Sequence, residues 1–263
     1  MSFLPVNMTY EPFAKEPEYI AANQAFVAAM PLAGCRRLLD LACGIGTMTR
    51  LLRERQPGLA IIGLDLSAES LAIARDGLAC LVRGTADRLP FPDRVFDAVV
   101  MGNAIHMLPD PDRLLAEVRR VLVPGGFFAF NSSFYAGTMP KGTEAFHHEW
   151  MRQALACLAA RPGLTRKRGT RPAAFSRPWP SPQEWAAVLA RHGLGVVYRF
   201  ERPVLMTRRS FETIGAYGGF AQVILSGYPV AEASFALQST AAPALAAVAM
   251  TEVPRLWLEV IAS

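Results

Sequence analysis

The sequence predicts an open, doubly wound α/β sheet, and three features of its first half predict it. An apolar run, Leu38-Leu39-Asp40-Leu41, ends in the small-residue turn Ala42-Cys43-Gly44-Ile45-Gly46, and a helix-like pattern starts at Thr47. A second apolar run over 60–64 closes on Asp65. Strand-like runs and helix-like patterns then alternate to residue 132, which puts parallel strands in one sheet with their connecting helices on its faces.

The turn after the first run is built to hold a ligand. Gly44 and Gly46 have no Cβ, so the backbone turns sharply there and a bound group lies close against it. Thr47 opens the next helix, whose first backbone N–H groups lack intrahelical partners and point toward the bound group. A dinucleotide loop has the form G-x-G-x-x-G, with the third glycine allowing close helix–strand packing. Thr49 stands in that third place, and the acid Asp40 comes before the glycines. Both points speak against a nicotinamide cofactor, although an NAD(P)-dependent oxidoreductase stays open. Asp65 lies about twenty residues beyond the loop, where a carboxylate accepts from the two hydroxyls of a ribose. Asp65 as a helix cap is the alternative, but Ser67 is better placed for that task.

The run Asp40-Leu41-Ala42-Cys43-Gly44-Ile45-Gly46 resembles the D-x-x-C/G-G-x-G loop of the class I S-adenosylmethionine-dependent methyltransferases. Further segments keep the resemblance over most of 36–130. These are Gly84-Thr85-Ala86-Asp87-Arg88-Leu89-Pro90-Phe91, the strand start Phe96-Asp97-Ala98-Val99, and the turn Val123-Pro124-Gly125-Gly126. The resemblance implies a Rossmann-like, seven-stranded sheet with an antiparallel last strand. It also implies S-adenosyl-L-methionine as cofactor, held by Asp40, Ala42, Cys43, Gly44, Gly46, Asp65, Leu66, Ala86, Asp87 and Asn103. Within that set the Ala86 N–H and the Asp87 carboxylate would meet the adenine, with Leu89 and Phe91 packed beneath, and Asn103 would sit near the methionine part.

Taken in order, residues 1–36 form an N-terminal cover with a helix over 18–30, ended by Pro31 and Gly34. Tyr10, Phe13 and Tyr19 either line that cover or only pack within it. The core over 37–135 places strands at 37–42, 60–65, 78–83, 96–101 and 127–132, with helices at 47–56, 68–76 and 109–122. His106 follows the fourth strand, at the sheet edge where ligands bind. An imidazole with an ordinary pKa of about 6.5 accepts a proton from a substrate hydroxyl. Packing beside the cofactor is the alternative role for His106. Residues 136–181 hold a helix over 144–160 and an Arg/Pro-rich loop. Residues 182–204 hold a helix begun by Ser181-Pro182-Gln183-Glu184 and a sixth strand at 195–201.

Some fifty residues then intervene before the last strand, placed at 256–261 within a closing segment 254–263. A structureless loop of that length is improbable in a compact domain. The segment 205–253 is therefore predicted to be a helical substrate cap, with helices over 209–217, 220–225 and 231–250. Phe211, Tyr217, Phe220, Tyr228 and Phe235 either face a pocket or pack the cap's own core.

The composition narrows the partners. Apolar residues make up 52% and charged residues 19% of 263 residues, enough for a sizeable core and low in surface charge. The net charge of +5 draws on a cluster, Arg152, Arg161, Arg166, Lys167, Arg168, Arg171 and Arg177. No stacked aromatics interleave with it and no nucleic-acid motif accompanies it, so a solvated loop is expected and nucleic acid is not. Four cysteines without metal or disulfide spacing fit a reducing cytoplasm. No signal peptide or membrane span is expected, nor a metal, because no clustered carboxylate or histidine set is present; His147 and His148, adjacent on one helix, diverge by about 100°. Self-association into a homodimer stays open. The expected activity is methyl transfer to an oxygen or carbon of a small, largely apolar molecule of the polyketide, quinone or terpenoid type. A protein of the same fold that binds the cofactor without transferring methyl, as a cyclase or regulatory binder, is the alternative.

Overall fold

The computed structural model describes residues 4–75, 80–167 and 178–263. Two compact units divide the chain. One comprises Met1–Ile20, Met139–Ser176 and Pro203–Leu256; the other comprises Ala21–Thr138, Arg177–Arg202 and Trp257–Ser263.

The elements, in chain order, begin with helices α1 (Glu11–Ala14) and α2 (Pro17–Ala29), then β1 (Arg37–Leu41), α3 (Thr47–Arg55), β2 (Ala60–Asp65), α4 (Ala68–Ala74) and β3 (Leu81–Arg83). They continue with β4 (Phe96–Gly102), a 3-10 turn (Ile105–Met107), α5 (Pro111–Val121) and β5 (Leu122–Ser132). The second half holds α6 (Glu144–Ala159), α7 (Pro182–Arg191), β6 (Val196–Thr207), α8 (Arg208–Ala216), α9 (Gly218–Ile224), α10 (Val230–Ala247) and β7 (Glu252–Ala262).

The sheet unit carries seven strands in the order β3-β2-β1-β4-β5-β7-β6. Strands β1 to β5 pair in parallel, Leu39 opposite Ile62 on one side and opposite Val99 on the other. Strand β7 runs antiparallel to β5, with Phe130 opposite Val260. This is the doubly wound, Rossmann-like sheet with an antiparallel last strand that the sequence predicts. The strand order reverses between β1 and β4, and the crevice at such a switch point is where open α/β sheets bind ligands. The near-continuous apolar runs of β1 and β4 are explained by cover on both faces: Leu38, Leu39, Val99 and Val100 are fully buried. One core cluster joins Phe26 and Val27 from α2, and Met30 just after it, with Leu38, Leu52, Val100, Ala129 and Ile261.

Strand ends depart from expectation in three places. The Val123-Pro124-Gly125-Gly126 stretch, expected as a separate turn, is part of β5. Phe96 pairs with Leu122 and Ala98 with Phe127, so the four residues between bulge out of the ladder. Gly126 is required there, because a Cβ would stand 2.8 Å from the Asp97 carbonyl oxygen. Strand β6 extends to Thr207 and β7 starts at Glu252, so both are longer than predicted and the helices between them occupy 208–247. The expected strand over 78–83 is seen from Leu81, and residues 76–79 lie outside the described residues.

The helical unit is built from α1, α6, α8, α9 and α10 with the strand ends beside them. Helix α10 runs through Pro243, whose missing N–H leaves one helical bond unmade. Ser181 and Glu184 form the expected capping box on α7, and Thr207 with Ser210 forms a second one on α8.

Candidate functional site

The loops after β1, β2, β3 and β4 all leave the carboxyl edge of the sheet, and the candidate cofactor residues lie on them. After β1 the backbone enters the left-handed region three times, at Ala42 (φ 57), Gly44 (φ 53) and Gly46 (φ 82). A non-glycine residue such as Ala42 in that region is strained, and strain of this kind gathers at functional sites. The loop is tied down by its own backbone: Cys43 N–H donates to the Leu64 carbonyl at 3.0 Å and Gly46 N–H to the Cys43 carbonyl at 2.8 Å. A Cβ on Gly44 would meet nothing within 4 Å, so open space adjoins the loop.

Asp65 closes β2 and locks this loop in place. Its Oδ2 accepts from Gly44 N–H and its Oδ1 from Ser67 N–H, each at 2.8 Å. Each oxygen keeps a further lone pair for a ligand hydroxyl. Ser67 takes the cap of α4, accepting from Ser70 N–H, as the sequence suggests. Leu66, next in the chain, is 62% exposed, an unusual setting for a large apolar side chain and a ready platform for a flat ring.

Asp40 is wholly buried. Its Oδ2 accepts from the Thr49 hydroxyl, and its Oδ1 has no partner. Burial pushes its carboxyl up to about 7; the Thr49 hydrogen bond opposes the rise and the Asp65 charge adds to it. Thr49, noted in the sequence only as a missing glycine, is thus the hydroxyl that holds this acid. Burial also pushes the Cys43 thiol up, with the charges of Asp40 and Asp65 adding to the effect, so Cys43 stays protonated and inert.

Ala86 and Asp87 lie in the turn after β3, with the Asp87 carboxylate exposed and 4.0 Å from the Arg113 guanidinium. The segment beyond them is pinned from α5. Glu117 Oε2 accepts from Leu89 N–H at 2.7 Å, while Arg120 donates to the carbonyls of Leu89 at 3.0 Å and Phe91 at 2.7 Å. Neither Glu117 nor Arg120 is evident as a site residue from sequence, because their role is to bond a backbone thirty residues away.

After β4, Asn103 is left-handed (φ 48) and sits in a buried amide network. Its N–H donates to Asn131 Oδ1 at 2.7 Å, its Oδ1 accepts from Ser133 N–H at 2.8 Å, and Asn131 Nδ2 donates to Asn23 Oδ1 at 2.9 Å. His106, 8% exposed, lies in the following 3-10 turn with Nδ1 3.1 Å from Ser132 Oγ and its ring against Phe134.

The match to known proteins falls on this same stretch. Residues 39–130 match the family described as "Methyltransferase domain". A demethylmenaquinone methyltransferase of Thermus thermophilus is 41% identical over 97 residues, 35% of this chain and 44% of that protein. A trans-aconitate 2-methyltransferase of Azoarcus is 34% identical over 145 residues, 55% of this chain and 54% of that protein. The chain therefore spans about half the length of these curated relatives. In fold, it is similar to an S-adenosylmethionine-dependent methyltransferase of Mesorhizobium loti, with a TM-score of 0.53 and 22% identity over 95% of this chain and 99% of that one.

The residues of this stretch fit the S-adenosyl-L-methionine that the sequence resemblance implies. Open space at Gly44, free lone pairs on Asp65, an exposed apolar ledge at Leu66 and a buried carboxylate oxygen without a partner suit a cationic nucleoside.

The candidate substrate residues fall into separate groups within the helical unit. Tyr10, Tyr19 and Tyr217 come together with Phe13, ring centroids 5.3 to 5.5 Å apart and edge to face. Phe211, 2% exposed, packs instead against Phe146 at 4.5 Å and Trp150 at 5.1 Å, in the core of that unit. Tyr228 lies under the Arg166 guanidinium, and Phe235 under that of Arg161, which also pairs with Glu232. Part of the basic cluster is thus spent on internal contacts; Arg168, Arg171 and Arg177 lie outside the described residues. Among the described residues no set of side chains is placed to hold a metal ion, and no helix is long and apolar enough to cross a membrane.

Proposed function

We propose that the protein transfers a methyl group from S-adenosyl-L-methionine to an oxygen or carbon of a small, largely apolar molecule, of the quinone, polyketide or terpenoid type. The observation that carries the reading is the Gly44–Asp65 couple, in which the acid placed for a ribose also fixes the loop placed for the rest of the nucleoside. Asp40, Ala42, Cys43, Gly44, Gly46, Asp65, Leu66, Ala86, Asp87 and Asn103 would hold the cofactor. The cofactor supplies an electrophilic methyl on sulfur, and the sulfur keeps the bonding pair when the methyl leaves.

The chain contributes orientation and a dry, rigid setting. A nucleophile held in line with the methyl gains as much as ~7–11 kcal/mol over the same reaction free in solution. The bonds from Asp65 to Gly44 and Ser67, and the Asn103–Asn131–Asn23 chain, supply that rigidity at the ends of β2 and β4. His106 would take the proton of an acceptor hydroxyl, and Tyr10, Tyr19, Tyr217 and Tyr228 would serve the acceptor, while Phe211, packed in the core of the helical unit, would not. An apolar acceptor is favoured by the aromatic content of the helical unit, and small acceptors by the relatives named for demethylmenaquinone and trans-aconitate.

Titration calorimetry with S-adenosylmethionine and with NAD(P), followed by an assay for S-adenosylhomocysteine over quinone, polyketide, terpenoid and trans-aconitate acceptors, tests the reading. Binding of the sulfonium compound with product formed from an apolar acceptor is expected. Tight binding with no product from any acceptor would favour a cofactor-binding cyclase or regulator.

A further inference from the structure

The sheet has two outer strands of very different length, β3 and β6. An outer strand presents a row of backbone N–H and C=O groups with no strand beyond it, a template for pairing with another chain. The 3 residues of β3 give such a partner little to hold. Strand β6 has 12 residues, and its 196–202 stretch lies in the sheet unit. On one side-chain face this stretch is tied to β7. The Tyr198 hydroxyl donates to Glu259 Oε2 at 3.1 Å, and Arg202 donates to both Glu259 oxygens, from Nε and from Nη2. Phe200 shares that face, with the Arg202 guanidinium 5.1 Å from its ring centre, yet is 43% exposed. By the alternation of a strand, Val197, Arg199 and Glu201 take the other face, and all three are exposed. Among the described residues neither Arg199 nor Glu201 has an ion-pair partner.

The order Arg199-Phe200-Glu201 is complementary to itself. When two copies lie antiparallel with Phe200 opposite Phe200, Arg199 of each copy faces Glu201 of the other, on the same side of the joined sheet. A slip of two residues one way sets Arg199 against Arg199, and the same slip the other way sets Glu201 against Glu201. A slip of one residue turns one copy over and exchanges its faces. Exposed charges on an outer strand discourage chance pairing. This pair of charges discourages the neighbouring registers as well and favours one.

We propose that residues 196–202 are a homodimer interface, in which β6 pairs antiparallel with β6 of a second copy about a two-fold axis at Phe200. The occupant is this chain itself, because the charge order along the strand matches its own reverse. Backbone hydrogen bonds across the axis supply the attraction, and the two Arg199–Glu201 pairs fix the register. The sheet then runs on from one copy into the other, and the outer strand of each is covered. The inference stands apart from methyl transfer, since none of these residues is assigned to the cofactor or the acceptor.

Sedimentation of the full chain from about 1 μM to about 1 mM is the first test. The mass should rise with concentration from 28.6 kDa toward twice that value, and a mass that never rises overturns the proposal. Arg199→Glu and Glu201→Arg each turn both attractive pairs into repulsive ones, because the axis repeats every change. Each should weaken the dimer about tenfold or more. Native association in either variant places the contact elsewhere and overturns the proposal. Carrying both changes in one chain restores both pairs, and so does mixing the two single variants. The dimer should return in the double variant and in the mixture, and the mixture also shows that each single variant is folded. Failure of the dimer to return overturns the register. High salt should narrow the gap between the single variants and the native protein, since these charges are exposed.

Discussion

The two units hold their candidate residues by different means. In the sheet unit several polar side chains are bonded to backbone: Asp65 to Gly44 and Ser67, Asn131 to Asn103, Asn103 to Ser133, and Glu117 to Leu89. In the helical unit Tyr10, Tyr19, Tyr217 and Phe211 are held by other rings, at 4.5 to 5.5 Å. Bonds to backbone fix a side chain to within a few tenths of an ångström and tie it to a loop, whereas ring contacts fix a volume and tolerate changes of outline. The first suits a ligand of fixed outline, and the second a ligand whose outline varies.

The units also bury opposite kinds of titratable group. Asp40 in the sheet unit is pushed up to about 7 by burial. His147 in the helical unit is pushed down to about 4, by burial first and then by Arg255 and His148. A carboxyl raised in the folded state contributes stability at low pH that is lost as pH rises through the folded value. A histidine lowered in the folded state contributes stability above its ordinary value that is lost as pH falls.

The largest expected effect probes ring packing. Phe211→Ala should destabilise the protein by about 3–5 kcal/mol in a denaturant titration; a loss below about 1 kcal/mol would show that the rings of the helical unit do not carry its stability. Next, Asp40→Asn should remove a stability loss that the native protein suffers as pH rises from 3.8 to about 7, of roughly 4 kcal/mol at most. Thermal midpoints over that range check it, and equal slopes for variant and native protein would break the contrast between the units. His147→Phe should flatten the opposite trend, a loss as pH falls from 6.5 to about 4, and the same scans read it. The smallest effect is on binding: Asp65→Ala should weaken calorimetric cofactor affinity at least tenfold, about 1.4 kcal/mol, and an unchanged affinity would remove Asp65 from the ribose.

The contrast explains what was legible in the sequence. The sheet unit could be read because each ligand loop follows an apolar run and uses residues chosen for backbone chemistry, such as the glycines after β1 and the acid closing β2. What escaped was long-range pairing. Thr49 with Asp40, Ser132 with His106 and Arg120 with the Leu89 and Phe91 carbonyls join residues whose spacing in the chain has no period. The bulge within β5 escaped for a related reason, since Pro124-Gly125-Gly126 predicts a turn and only the pairing of Phe96 with Leu122 makes the strand continue past it. In the helical unit Phe211 and Tyr217 have the same local signature, an aromatic in a helical pattern. Only the fold separates them, placing Phe211 with Phe146 and Trp150, and Tyr217 with Tyr10.

Strand β7 lies between β5 and β6 although it follows both in the chain. A nascent polypeptide leaving the ribosome therefore cannot zip the sheet progressively: β6 has no neighbour until some fifty further residues have been made and the late arrival slides into the gap. Synthesis and sheet closure are coupled by that order, and a ribosome stalled before residue 252 would present β5 with an open seam for chaperones to guard.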